Sequence, residues 1–170
     1  MTDTNTVGKA AHRWWAAALR DDGSGRLARA KLRHCETPTQ ALAIEATHEL
    51  HAALGGRLEH RADTLALIAI ALANVRTFSP QSAAERMGDS LTALRFQTLI
   101  RSETALILIR PLRRALVQID QTANVNRLAS DLFYWGEETR NRWCFAYYGA
   151  TLSPFLSNDE TDLSASETEE

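Results

Sequence analysis

The sequence predicts an all-α fold, a two-lobed helical bundle, and three observations carry that expectation. Apolar residues recur at helical spacing, as in Leu42, Ala46 and Leu50, or in Val125, Leu128, Leu132 and Trp135. No stretch alternates apolar and polar residues as a half-buried strand would, and no internal repeat is found. Leu65 to Ala73 is apolar nearly all round, too short to span a bilayer and suited to the buried centre of a bundle. With 170 residues and 45% hydrophobic content, the chain can bury a sizeable core.

Residues 1–7 are polar and are expected to fray. A first helix covers about residues 9–20, with Trp14 and Leu19 available to pack, and the run from Asp21 to Gly25 ends it. The second spans about residues 25–35. Thr37 or Thr39 caps a third, which runs to Leu54 and stops at Gly55 and Gly56. The fourth covers about residues 57–76; Arg57, His60 and Arg61 share one arc of its first turns, either an anion-facing patch or an exposed helix end. The stretch 77–80 marks the lobe boundary, with Ser79 as N-cap and Pro80 as first helical residue. Gly88 interrupts the helical material before Leu91.

Residues 95–116 hold two helical segments with a break near Ser102, and Pro111 either kinks the second or begins a new one. A helix over residues 125–135 is closed by Gly136. Glu137 and Glu138 suit the positive start of the last helix. Its Trp143, Phe145, Tyr147 and Tyr148 read as core side chains before they read as base-stacking platforms. The lobes are thus residues 8–78 and 79–156, and residues 157–170, acidic and rich in Ser and Thr, are expected to be disordered.

The formal net charge of −2 hides a division. Residues 1–156 hold all 19 Lys and Arg against 15 of the 21 Asp and Glu, a net of +4, while residues 157–170 hold the other six acids and no base. Seventeen of the 19 bases are Arg, whose planar fork suits phosphate better than ammonium does, although a GC-rich genome yields the same bias. Cys35 and Cys144 form no framework and no CxxC, as in a reduced cytosolic protein. MTDTNTVGK lacks an apolar core and is no signal peptide. A soluble, cytoplasmic chain without membrane association is expected.

The arginines are arranged in rows. Arg95, Arg101, Arg110, Arg113 and Arg114 lie within Arg95 to Leu116, and none has an acid three or four residues away. On a wheel of about 100° per residue, Arg110, Arg113 and Arg114 fall within roughly 100°, opposite Leu108, Leu112, Leu116 and Ile119. Arg26, Arg29 and Arg33 form a second stripe within roughly 60°, opposed by Ala28, Leu32 and Cys35, with Glu36 a partner for Arg33 at the helix end. A single cluster of this kind reads as a solvated face. Two on a basic body point toward an anionic polymer.

Chemistry-bearing patterns are thin. Glu45-x-x-His48 is half of a carboxylate-bridged di-iron pattern without its second pair. His48-Glu49-Leu50-His51 is one residue short of HExxH, its histidines at i, i+3. No GxxxxGK[ST], GxGxxG or GxSxG occurs. No catalytic residue, metal site or cofactor is expected, which leaves binding or assembly.

The ordered pieces His12-Arg13-Trp14-Trp15, Arg29 to Arg33, Arg95 to Arg101, Pro111 to Leu116, Tyr134-Trp135-Gly136 and Trp143 together resemble the CasB family, small subunits of the type I-E CRISPR Cascade complex, over about residues 12–150. The resemblance implies a two-lobed helical protein without enzymatic activity, present as two copies along the belly of the complex. It implies other Cascade subunits, guide RNA and target DNA, and a second copy of the chain as partners. Such subunits hold the RNA–DNA hybrid and steady the displaced strand through basic residues. By motif position Arg95, Arg101, Arg113 and Arg114 match the family's basic positions, with Arg29 and Arg33 following and Arg61 near another; Arg110 belongs to the same stripe. The alternative is a helical protein-interaction module that docks an acidic protein partner and whose tail competes for the basic face.

Overall fold

The computed structural model describes the backbone of residues 2–163 and the side chains of residues 4–150. Its helices are α1 (Thr2–Ala18), α2 (Gly23–Arg33), α3 (Pro38–Leu42), α4 (Glu45–Ala53), α5 (Ala62–Ala73), α6 (Ala83–Ser90), α7 (Ala93–Ile100), α8 (Ala105–Gln118), α9 (Val125–Phe133) and α10 (Glu137–Leu163). The fold is all-α, with one addition: the two-residue strands β1 (Thr77–Phe78) and β2 (Thr122–Ala123) pair in parallel, Thr77 opposite Thr122 and Phe78 opposite Ala123. Two-residue strands carry too little alternation to be read from sequence.

The apolar run behaves as its composition requires. Every residue from Leu65 to Ala73 is buried, and α2, α3, α4, α8 and α9 pack around α5. It starts at Ala62 rather than 57, so Arg57 and His60 lie on the turn before it. Gly55 and Gly56 do end the preceding helix, at φ of 72° and 67°, in the left-handed region that glycine enters without a Cβ clash. The expected single helix up to Leu54 is instead α3 and α4, broken at Ala43 and Ile44, where the Thr47 hydroxyl donates to the Ala41 carbonyl at 2.7 Å. Thr37 caps α3 in a reciprocal capping box with Gln40.

Residues 2–7 are helical, against the expectation of fraying, because α1 lies along α9. Val7 and Ala11 are fully buried, and the Ser130 hydroxyl donates to the Thr4 carbonyl at 2.7 Å. Tertiary contact outweighs polar composition here.

In the second half, Gly88 does not interrupt a helix; it sits within α6, where α10 crosses. A Cβ there would lie 2.5 Å from the Tyr147 carbonyl oxygen and 2.7 Å from the Ala150 Cβ. Ser82, not Ser79, caps α6, in a capping box with Glu85, and the Ser79 amide donates instead to the Ala123 carbonyl at 3.0 Å. Pro111 lies inside α8, which continues through it.

One continuous apolar cluster runs from Val7 to Tyr147; α8 and α9 both pack on α5. The helix α10 extends to Leu163 and so covers residues 157–163, where composition alone suggested disorder. Extending a helix already nucleated by packed turns costs less than starting one. Residues 164–170 of the expected tail lie outside the described residues.

Candidate nucleic-acid interface

The end of α2, α7 and α8 converge on a cleft of about 860 Å3 whose lining includes Arg33, Arg95, Arg113 and Arg114. Local rules orient these side chains. The Thr92 hydroxyl caps α7, and burial of Phe96 and Leu99 turns Arg95 outward. The Thr104 hydroxyl caps α8, and Leu108, Ile109, Leu112, Ala115 and Leu116 enter the core. That leaves Arg110 and Arg114 exposed and Arg113 half-buried.

Arg113 has a structural task as well. Its Nη1 donates to the Cys35 carbonyl at 2.7 Å and to the Arg33 carbonyl at 3.4 Å, tying α8 to the end of α2. Its Nη2 stands 4.0 Å from a carboxylate oxygen of Glu36. Glu36 therefore faces Arg113 rather than the expected Arg33, and at 62% side-chain exposure it neutralises little. Arg33 Nε is enclosed with no hydrogen-bond partner among the described residues. Arg95 and Arg114 form no ion pair with any described residue. Burial raises the Cys35 thiol pKa, with the Arg113 charge opposing.

The other predicted residues go elsewhere. Arg29 is buried: Nε and Nη2 donate to the Leu19 carbonyl at 3.1 and 2.6 Å, and Nη1 donates to the Val75 carbonyl at 2.7 Å. Its guanidinium also lies 5.8 Å from the Trp15 ring centre. It satisfies carbonyls just past the ends of α1 and α5. Arg61 Nη2 donates to the Phe133 carbonyl at 2.6 Å, and its guanidinium sits 5.4 Å from that ring's centre, so it closes the end of α9. Arg101 caps the end of α7 and Arg110 is exposed on α8, but neither lines the cleft. Leu94 and Val117 do line it, 72% and 54% exposed. The sequence held a signal for Val117, which falls on the arc between Arg113 and Arg114 rather than on the core face.

The family description "CRISPR-associated protein Cse2" matches residues 28–148, a span that contains the whole cleft. The chain belongs to the Cse2 family. Cse2 is CasB, the small subunit of type I-E Cascade, so the resemblance read from the ordered motifs holds. Among solved structures, this Cse2 chain is similar to a chain in the crystal structure of E. coli Cascade bound to a PAM-containing dsDNA target. The TM-score is 0.66 over 84% of this chain and 97% of that one, at 20% identity, a likeness of fold. No curated protein matches the sequence.

The arrangement suits anion capture. Guanidinium groups from elements some 80 residues apart in sequence, Arg33 and Arg113 among them, share one opening with a single exposed carboxylate among the described residues. Among the described residues no group of three or more His, Cys, Asp or Glu could hold a metal ion. No described helix is long and apolar enough to cross a membrane.

Proposed function

We propose that this Cascade subunit is non-catalytic and binds nucleic-acid backbone, stabilising the guide RNA–target DNA hybrid and the displaced strand. One observation carries the reading: Arg33, Arg95, Arg113 and Arg114, from three separate helices, line one cleft in which Glu36 is the only acid among the described residues. Such donors make sequence-independent phosphate contacts. Opening a duplex by RNA pairing is a near-balanced exchange, so modest contacts to the strands tip it. Arg101 and Arg110 are exposed outside the cleft and offer further phosphate contacts, whereas Arg29 and Arg61 serve the fold. That the E. coli complex is described with a dsDNA target supports the reading. A body charge of only +4 gives weak binding alone, with affinity arising among the other subunits, a second copy of the chain, guide RNA and target DNA in the cytoplasm.

Titration of labelled single-stranded DNA and RNA over a salt series tests this. Native protein should bind weakly, indifferently to sequence and with steep salt dependence, and Arg95→Ala with Arg114→Ala should flatten that dependence. Absence of binding by the native protein at low salt would favour a module that docks an acidic protein partner.

A further inference from the structure

The cleft is not built for phosphate alone. Phosphate contacts alone give apolar side chains no role, yet α7 and α8 each contribute one to the same lining as Arg95 and Arg114: Leu94 and Val117. Neither belongs to the core, at 72% and 54% exposure, and Pro111 adds to the same lining. The volume of about 860 Å3 falls within the roughly 300–1,000 Å3 of ligand clefts. An occupant that uses both halves must be anionic and must carry an accessible apolar surface.

Duplex nucleic acid offers the first and hides the second, because its bases are stacked inside. A single strand with a splayed base offers both. Resting on the backbone-binding reading above, we infer that the cleft takes an unstacked nucleotide of a single strand. Phosphates lie on Arg95, Arg113 and Arg114, and the base lies against Leu94, Pro111 and Val117. The contact carries no base readout, since aliphatic side chains present no hydrogen-bond code. It discriminates single strand from duplex, the distinction a protein needs to hold a displaced strand.

Fluorescence anisotropy with three probes of equal phosphate count tests it: a mixed-sequence single strand, the same length of abasic backbone, and a hairpin duplex. Native protein should prefer the base-bearing strand over the abasic one by about five-fold, the low end of stacking contributions because the wall is aliphatic. Leu94→Ser with Val117→Ser, at exposed positions and checked by circular dichroism, should remove that preference, bringing the base-bearing strand down to the affinity of the abasic one. Arg95→Ala with Arg114→Ala should weaken all three probes together. Equal native affinity for base-bearing and abasic strands overturns the inference while leaving backbone binding intact. So does an equal loss for both strands in the serine variant. If the arginine variant changes nothing for any probe, the backbone-binding reading falls and this inference with it. Tighter binding of an acidic apolar peptide than of the strand, lost in the serine variant, assigns the wall to a protein occupant and also overturns it.

Discussion

Arg29 and Arg114 carry the same guanidinium to opposite ends. Arg29 spends its fork on the carbonyls of Leu19 and Val75, and burial lowers its pKa without removing its charge. Arg29→Ala leaves those carbonyls without that donor; it should lower stability by about 2–4 kcal/mol in urea unfolding, with phosphate affinity of the folded fraction unchanged. Arg29→Lys should restore only part of it, because one ammonium cannot span both carbonyls as the fork does. Arg114→Ala should do the reverse, leaving the melting temperature in place and reducing the salt slope of nucleic-acid binding by about one. Arg113→Ala should move both readings, since Nη1 also holds the Cys35 carbonyl. A helical wheel groups Arg26, Arg29 and Arg33 correctly on one arc. It cannot say that the ends of α1 and α5 lie over the Arg29 edge of that arc, and those ends are what take Arg29 out of the basic surface.

Gly88 shows how helix pairing hides in a sequence. Its low helix propensity suggests a break, whereas the residue is there to let α10 approach α6, a reason visible only once both helices are placed. Gly88→Ala should therefore lower stability by about 1–3 kcal/mol despite the better propensity, read by urea unfolding. The caps were more legible: Ser82 and Glu85 make the reciprocal spacing, though Pro80 drew the predicted start to Ser79. Between α9 and α10, Asp131 accepts from Trp143 Nε1 at 2.8 Å and from Arg142 Nη1 at 3.3 Å. Burial nevertheless raises its pKa above the 3.8 of a free side chain, against those hydrogen bonds and the Arg142 charge. A raised acid pKa means that the fold favours the protonated form, so this group's contribution falls as pH rises from 3.8 through the folded value. Asp131→Asn should remove that part of the pH dependence, seen by comparing unfolding midpoints of the two proteins across the window.

The amphipathic faces announced that a bundle would form, but not which helix would cover which. The two halves interleave: α9 rests on α1, α8 on α5, and β1 pairs with β2 across 43 residues of intervening chain. A boundary drawn from turn residues at 78/79 could not see pairings so distant in sequence. Charge is the opposite case, since it can be read from sequence at any separation. Removing residues 157–170 changes the formal net charge from −2 to +4 without touching any cleft residue. A polyanion approaching the body then meets a field of opposite sign, which acts over about a Debye length, roughly 10 Å at 0.1 M salt. The shortened protein should therefore bind single-stranded DNA a few-fold more tightly at low salt, and the two binding curves should converge at high salt. A full-length variant with the six tail acids replaced by Asn or Gln should behave like the truncation, separating charge from chain length. Superimposed anisotropy curves for all three proteins at low salt would mean that the arginines act only through contact, with the net field of the chain playing no part.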